Sequence, residues 1–395
     1  MDYQKLADKY GTPIVVYDWS IIEKRIDSIL HRDMVPMFSL RLCPQPKILR
    51  KMVQKGVGLV CVNEQELLLA RKVGCSEDMI WLDRIAPDRD LMTSAAAVGA
   101  RSSCIEYVHY KDLRNLGAKR FMFRYLPDLL SFRTSKPYQM LRRLNIRSQM
   151  ISLVSNELEK GMNIVLEALV GASDSKATPW SDALKRLEQG GYFARRVEPS
   201  ILDGLCIHAA GMQEEQSTLN QLDKIVKERN QSDYKYKLYF RCGKYLIEDA
   251  GCTLAKIRYI RLGVPDTLFL DVNMGIMPRL ALQKAAHTFT MVEEKDEHYG
   301  LYEILGDVPD RQEIYCPEVY LRGPKRGDLI RITSTGAYNA STYSGEINKL
   351  PYSVVLVDGE RVAPVYDKVT RKKKTTITPM QMEPTNSPST KRRKK

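Results

Sequence analysis

From about residue 12 to 245, short apolar runs of β-forming residues alternate with stretches whose apolar positions recur at helical spacing. The strands this predicts are Met37–Leu42, Gly58–Val62, Met79–Leu82, Cys104–Val108, Arg120–Tyr125, Leu202–Ala209 and Tyr236–Arg241. Between them lie predicted helices such as Gln45–Lys55, entered through Pro44 and Pro46, and Glu64–Val73. Alternation of this kind points to a parallel sheet or barrel wrapped by helices. These segments fall one strand short of a closed (β/α)8 barrel. The interval 127–201 is too long for one crossover and holds a further candidate, Asn163–Leu169, so the pattern leaves the strand count open.

From about residue 253 the strands become closely spaced, as at Leu329–Thr333 and Tyr352–Asp358, and Asp358-Gly359 is a hairpin signal. After about 368 the chain is Lys, Thr, Pro and Ser with almost no apolar residues, which predicts a disordered tail. The expected division is a barrel over 1–245, a β domain over 246–367 and a basic tail over 368–395. The first dozen or so residues are assignable to either folded part.

Composition narrows the class. With 44% hydrophobic and 28% charged residues, and no apolar run near the ~20 residues that span a bilayer, no membrane segment is expected. The opening MDYQKLADKYGTP lacks the apolar core of a secretory signal. Eight dispersed cysteines without a CxxC pair or metal-ligand spacing predict reduced, mostly buried thiols of an intracellular protein and no metal site. The net charge of +13 is concentrated: ten Lys or Arg against Asp367 and Glu383 put +8 on residues 367–395, leaving about +5 on the other 366.

Several segments, in order, resemble the diaminopimelate and ornithine decarboxylases, members of the alanine racemase-like, pyridoxal phosphate-dependent fold type III family. Tyr10-Gly-Thr-Pro-Ile-Val-Val-Tyr17-Asp18 looks like the GTP-x-x-VYD entry, and Met37-Phe-Ser-Leu-Arg41-Leu-Cys-Pro44-Gln-Pro-Lys-Ile-Leu49 like YAVKANPNPxxL. Asn63-Glu64-Gln-Glu66-Leu is similar to the SxGEL helix start, Ser173-Asp174-Ser175-Lys176-Ala177 to DDSKA, and Gly204-Leu-Cys-Ile-His208-Ala-Ala-Gly211 to GLHxHxGS. Asp271-Val-Asn-Met-Gly-Ile-Met-Pro-Arg279-Leu-Ala281-Leu282 resembles DAGMNDLxRPAL, and Gly336-Ala-Tyr338-Asn-Ala-Ser341 resembles GAYxxS. The resemblance implies a TIM-like barrel with the cofactor at its strand ends, a C-terminal β-sandwich, and active sites shared across a homodimer.

Such a decarboxylase forms an imine between a lysine amine and the cofactor aldehyde, and the conjugated ring then accepts the electrons left by departing carbon dioxide. Arg41 stands at the position of that lysine. A guanidinium stays protonated and has no free amine lone pair, so the charge is kept and the chemistry removed. The nearest lysine, Lys47, falls inside the following helix.

The family's glycine-rich phosphate loop has no counterpart between His208 and Arg241, where the only glycine is Gly211, so the strand carrying that loop is expected to be deleted. The EPGRY strand end, whose acid pairs with the ring nitrogen, reads Arg241-Cys242-Gly243-Lys244-Tyr245; alanine racemases also place an arginine there. Where the family has its catalytic cysteine stands Val319, in Cys316-Pro317-Glu318-Val319, and Cys316 itself is expected to be a buried structural thiol.

Three residual pocket residues match. His208 corresponds to the imidazole that stacks on the ring, or is a core histidine; Arg279 corresponds to a substrate carboxylate partner and Tyr338 to a phosphate or substrate contact, or both hold the β domain against the barrel. Arg41, Arg241, Arg279 and Tyr338 together form a candidate anion pocket.

The expectation is a pseudoenzyme: an inactive decarboxylase homologue, with cofactor binding lost, acting as a regulatory or structural binding protein, as a homodimer or paired with an active relative. One alternative is an active decarboxylase with a displaced lysine or altered pocket. Another rests on the tail, where Arg371, Lys372, Lys373 and Lys374 and then Lys391, Arg392, Arg393, Lys394 and Lys395 resemble a bipartite nuclear import signal. Its partners would be an import receptor, nucleic acid or an acidic membrane surface, and it reads equally as a solvated basic tail with no partner; the location expected is cytoplasmic, nuclear or both.

Overall fold

The structure, a computed structural model, describes residues 1–124, 154, 156–171, 179–210, 215–273, 275–279, 287–294, 298–308, 313–338 and 352–366. Ser173–Ala177, Gly211, Ala281, Leu282, Ser341 and the basic clusters at 371–374 and 391–395 lie outside the described residues.

Strand β1 (Ile14–Asp18) precedes eight strands that close into a parallel barrel: β2 (Val35–Ser39), β3 (Gly58–Cys61), β4 (Ile80–Leu82), β5 (Arg101–Cys104), β6 (Arg120–Arg124), β7 (Asn163–Gly171), β8 (Leu202–Ala210) and β9 (Lys237–Arg241). The segment around 163 therefore supplies the eighth strand. The expected missing strand is corrected: closure needs none between His208 and Arg241, because β8 pairs directly with β9, His208 opposite Arg241. A second correction concerns the strand expected at Cys104–Val108, which is Arg101–Cys104, followed by a helix over Tyr107–Asn115. Its Arg-Ser-Ser start is polar, and pattern reading passed over it because Arg101 is buried against the Asp203 carboxylate at 2.8 Å.

The second unit is a nine-stranded mixed sheet containing β1, β10 (Gly251–Arg261), β11 (Asp266–Leu270), β12 (Phe289–Met291), β13 (Tyr299–Leu305), β14 (Ile314–Arg322), β15 (Leu329–Ile332), β16 (Ser353–Asp358) and β17 (Arg361–Tyr366). β1 enters it antiparallel to β10 and parallel to β16, and Leu6 and Tyr10 of the first helix pack in the same cluster as Ile14 and Val16. The hairpin signal at Asp358-Gly359 joins β16 to β17, with Gly359 at φ 60°.

Sheet and barrel meet at a close backbone crossing. Gly336 N–H donates to the Glu248 carbonyl at 2.9 Å, and the Tyr17 hydroxyl donates to the Gly336 carbonyl at 2.9 Å. A Cβ on Gly336 would collide with the Ile247 carbonyl oxygen, which is backbone and has nowhere to move. Gly336→Ala should therefore cost about 2 kcal/mol or more in denaturant unfolding. Gly359→Asn, at a position with open space and a left-handed backbone that Asn tolerates, should cost under about 1 kcal/mol. Equal, small losses at both positions would contradict this account of the crossing.

Candidate functional site

Alternation along the barrel strands builds the site. Met37, Val60, Trp81, Met122, Val165, Cys206 and Tyr239 form the apolar layer inside the barrel. Two residues further along each strand, side chains point inward again, one layer nearer the C-terminal ends. Those positions are Ser39, Val62, Asp83, Arg124, Glu167, His208 and Arg241. Five of the seven are ionisable, in the layer where barrel proteins place their chemistry.

They neutralise one another. Arg124 bonds Glu167 through Nε at 2.7 Å and both oxygens of Asp83 through Nη2 at 3.1 and 2.9 Å. Arg241 Nη2 donates to Asp83 at 2.8 Å, and its Nη1 donates to Glu167. Burial alone would raise the Glu167 carboxyl, but Arg124 and Arg241, with His208, outweigh it and hold it well below the usual carboxylate range. Asp83 is shifted down by the same balance, with burial opposing Arg241 and Arg124. His208 Nδ1 lies 3.5 Å from Glu167; burial and Arg241 lower its proton affinity.

Donor atoms of Asp83, Glu167 and His208 lie within 4.8 Å of one another, close enough to suggest a metal triad. Two guanidiniums already occupy the two carboxylates and would repel a divalent cation, so these groups read as an ion-pair network.

Above this layer opens a cavity of about 270 Å³, bordered by Ser39, Arg41, Asp83, His208, Arg241, Lys244 and Tyr338 among others. Arg41 follows β2 in a short 3-10 turn, Leu40–Leu42, and is exposed. Tyr338 sits in a left-handed backbone conformation, φ 68°, fixed by its N–H donating to the Leu42 carbonyl at 2.7 Å.

The structure thus brings Arg41, His208, Arg241 and Tyr338 to one cavity. Arg279 stands behind Tyr338, 5.6 Å from its ring centre, and pairs with Glu248. His208 is partly buried, with 24% of its side chain exposed, and borders the cavity. Cys316, expected buried, is half-exposed on β14, where its thiol donates to the Glu318 carbonyl at 3.2 Å. Val319 packs partly buried on the same strand, and neither residue borders the cavity.

Sequence reading missed Asp83, Arg124 and Glu167. The signal was a lone acid inside the apolar run Ile164-Val-Leu-Glu167-Ala-Leu-Val170 and an arginine ending Phe121-Met-Phe-Arg124.

No family model matches the chain. The diaminopimelate decarboxylase of Zymomonas mobilis is 23% identical over 387 residues, covering 91% of this chain and 90% of that one. Among solved structures, diaminopimelate decarboxylase from M. jannaschii in complex with L-lysine superposes with a TM-score of 0.80 at 15% identity, over 92% of this chain and 91% of that one. The arginine decarboxylase of Paramecium bursaria Chlorella virus bound to agmatine gives a TM-score of 0.75 at 15% identity, over 90% and 99%. The shared architecture is the closed eight-stranded barrel with its attached mixed sheet.

Removing one member of a buried network strands its partners. Glu167→Gln should lower stability by about 3 kcal/mol or more at neutral pH, because two buried guanidiniums keep only Asp83. Both carboxyls have folded pKa values below their unfolded ones, so their stabilisation is present above about pH 4 and is lost as pH falls through the folded values. Acid unfolding followed by circular dichroism should accordingly be less steep in Glu167→Gln than in the parent. A neutral-pH loss under about 1 kcal/mol would show that the network carries little.

Proposed function

Taking the chain as a distant homologue of the diaminopimelate decarboxylases with the same barrel fold, we propose that it is a catalytically silent member that acts by binding. The observation that carries this reading is the network itself: at the barrel mouth Arg241 is bonded to both Asp83 and Glu167. In the resembling enzymes that strand end presents an acid to the cofactor ring.

The residues present do not fit pyridoxal phosphate. Position 41 offers a guanidinium instead of an amine, and Gly211 is the only glycine between His208 and Arg241. The side chain that would face the ring nitrogen is a cation already committed to two carboxylates. Charge satisfied from within leaves little electrostatic call for a ligand in this layer.

The binding partner is a second copy of this chain or a related decarboxylase. Tyr259, Tyr299 and Tyr320 stand more than half exposed on β10, β13 and β14, an aromatic population suited to burial in an interface. Among the described residues no helix is long and apolar enough to cross a membrane. The basic clusters at 371–374 and 391–395 give a second reading, an address recognised by an import receptor.

The purified protein should release no carbon dioxide from ornithine, lysine, arginine or diaminopimelate and should carry no visible absorption from protein-linked pyridoxal phosphate. Arg41→Lys should not restore turnover, since Arg241 and the missing glycines remain. Carbon dioxide release that disappears on mutating one identifiable lysine would overturn the silent reading.

Sedimentation at micromolar concentration should give a dimer, or a related decarboxylase should be recovered with the protein from cells. A monomer with no such companion would contradict both forms. Removing residues 368–395 should displace a tagged protein from the nucleus, and an unchanged distribution would show that the tail carries no address.

A further inference from the structure

Lys244 has no part in the ion-pair network. It is the second residue of the short helix Gly243–Ile247 that follows β9, and it is the lysine among the described residues bordering the cavity above that network. The charges around it fall into two groups. Asp83 and Arg241 neutralise each other on the floor beside His208, and Arg279 pairs with Glu248 behind Tyr338. Arg41 and Lys244 have no carboxylate within ion-pair distance among the described residues. Among the described residues, the Lys244 ammonium faces the Tyr338 ring, 5.9 Å from its centre.

Among the described residues the cleft thus gathers a half-buried ammonium and a guanidinium with no carboxylate in ion-pair contact, an excess of positive charge that an anion in the cleft would offset. Burial, then Arg279, lower the proton affinity of Lys244, and only Glu248 opposes them. The neutral amine, with its lone pair available, is therefore more populated near neutral pH than on a surface lysine.

We propose that Lys244 is the carbonyl-reactive amine of this cavity, condensing reversibly with a small aldehyde or 2-oxo acid whose anionic group is received by Arg41. The nitrogen lone pair forms the bond to the carbonyl carbon, and the carbonyl oxygen leaves as water with the two amine protons. The product is an imine, with no change of oxidation state. A cavity of about 270 Å³ suits a molecule of a few carbon atoms. The proposal goes beyond the binding reading and does not require decarboxylation. Carbon dioxide release would overturn that reading and leave this one standing, whereas failure to trap an imine would do the reverse.

The test uses the full chain, glyoxylate as probe and cyanoborohydride to fix the imine, with peptide mass mapping of the carboxymethylated lysines. Lys244 should be converted at a glyoxylate concentration about tenfold below that needed by exposed lysines such as Lys5 and Lys119. Its labelling should also reach half its maximum at lower pH than theirs, because its amine loses its proton earlier. Lys244→Arg should abolish that adduct and leave the other peptides unchanged, and Arg41→Gln should raise the required concentration roughly tenfold. Circular dichroism of both variants should match the parent. Labelling of Lys244 no faster and at no lower pH than Lys5 would overturn the proposal, as would full labelling that ignores Arg41→Gln.

Discussion

Two guanidiniums and two carboxylates packed into one barrel layer constrain everything above them. Each of Arg124 and Arg241 reaches both Asp83 and Glu167, so the four charges cancel where water is largely excluded. Desolvating them is costly, and only mutual contact with good geometry offsets that cost. Once formed, the network cannot lose a member or admit a competing ion without exposing an uncompensated charge in low dielectric. That closes the mouth of the barrel from below and turns the cavity above into a shallow cleft whose remaining reactive groups come from its rim.

The same residues seat the sheet domain. β2 runs from the inward Met37 and Ser39 into the 3-10 turn at Leu40–Leu42, and that turn accepts the Tyr338 backbone. At the end of β9, Arg241 joins the network while the next residues form the helix whose Ile247 and Glu248 carbonyls meet Gly336. Strand ends that set the charge layer thus also fix where the sheet packs, so Tyr338 is part of the contact as well as of the rim, with Arg279 behind it paired to Glu248. A fold shared with diaminopimelate and arginine decarboxylases is compatible with chemistry quite different from theirs, because the fold resides in the apolar layers and the chemistry in the few side chains at the strand ends.

Local pattern made much of this legible. The alternation of apolar runs and helical periodicity located most barrel strands to within a few residues, since each such strand buries both faces and so reads as a continuous apolar run. Motif order identified Arg41, His208, Arg241, Arg279 and Tyr338 because each keeps its place relative to quoted neighbours such as Pro44 and Gly336. The strand at Arg101–Cys104 escaped, because a polar sequence was compensated by Asp203, about a hundred residues away. Barrel closure escaped too: it is a property of the ring, and Asn163–Gly171 becomes a barrel strand only by pairing with β6 and β8 at once.

By itself the sequence determined the fold class, the absence of an amine at residue 41 and the concentration of charge in the final segment, since these depend on residue identity and short-range periodicity. Tertiary structure alone decided what the charged strand residues do. Whether Glu167 would be a metal ligand, a catalytic acid or a counter-ion depended on which side chains arrived within 3 Å of it, and those were Arg124 and Arg241, from strands far away in the chain. Coulomb energy depends on separation in space and on the dielectric between the charges, neither of which is a function of distance along the sequence. For the same reason Lys244 stands in the sequence as one of many lysines, and only the fold gives it a cavity in which no described carboxylate pairs with it.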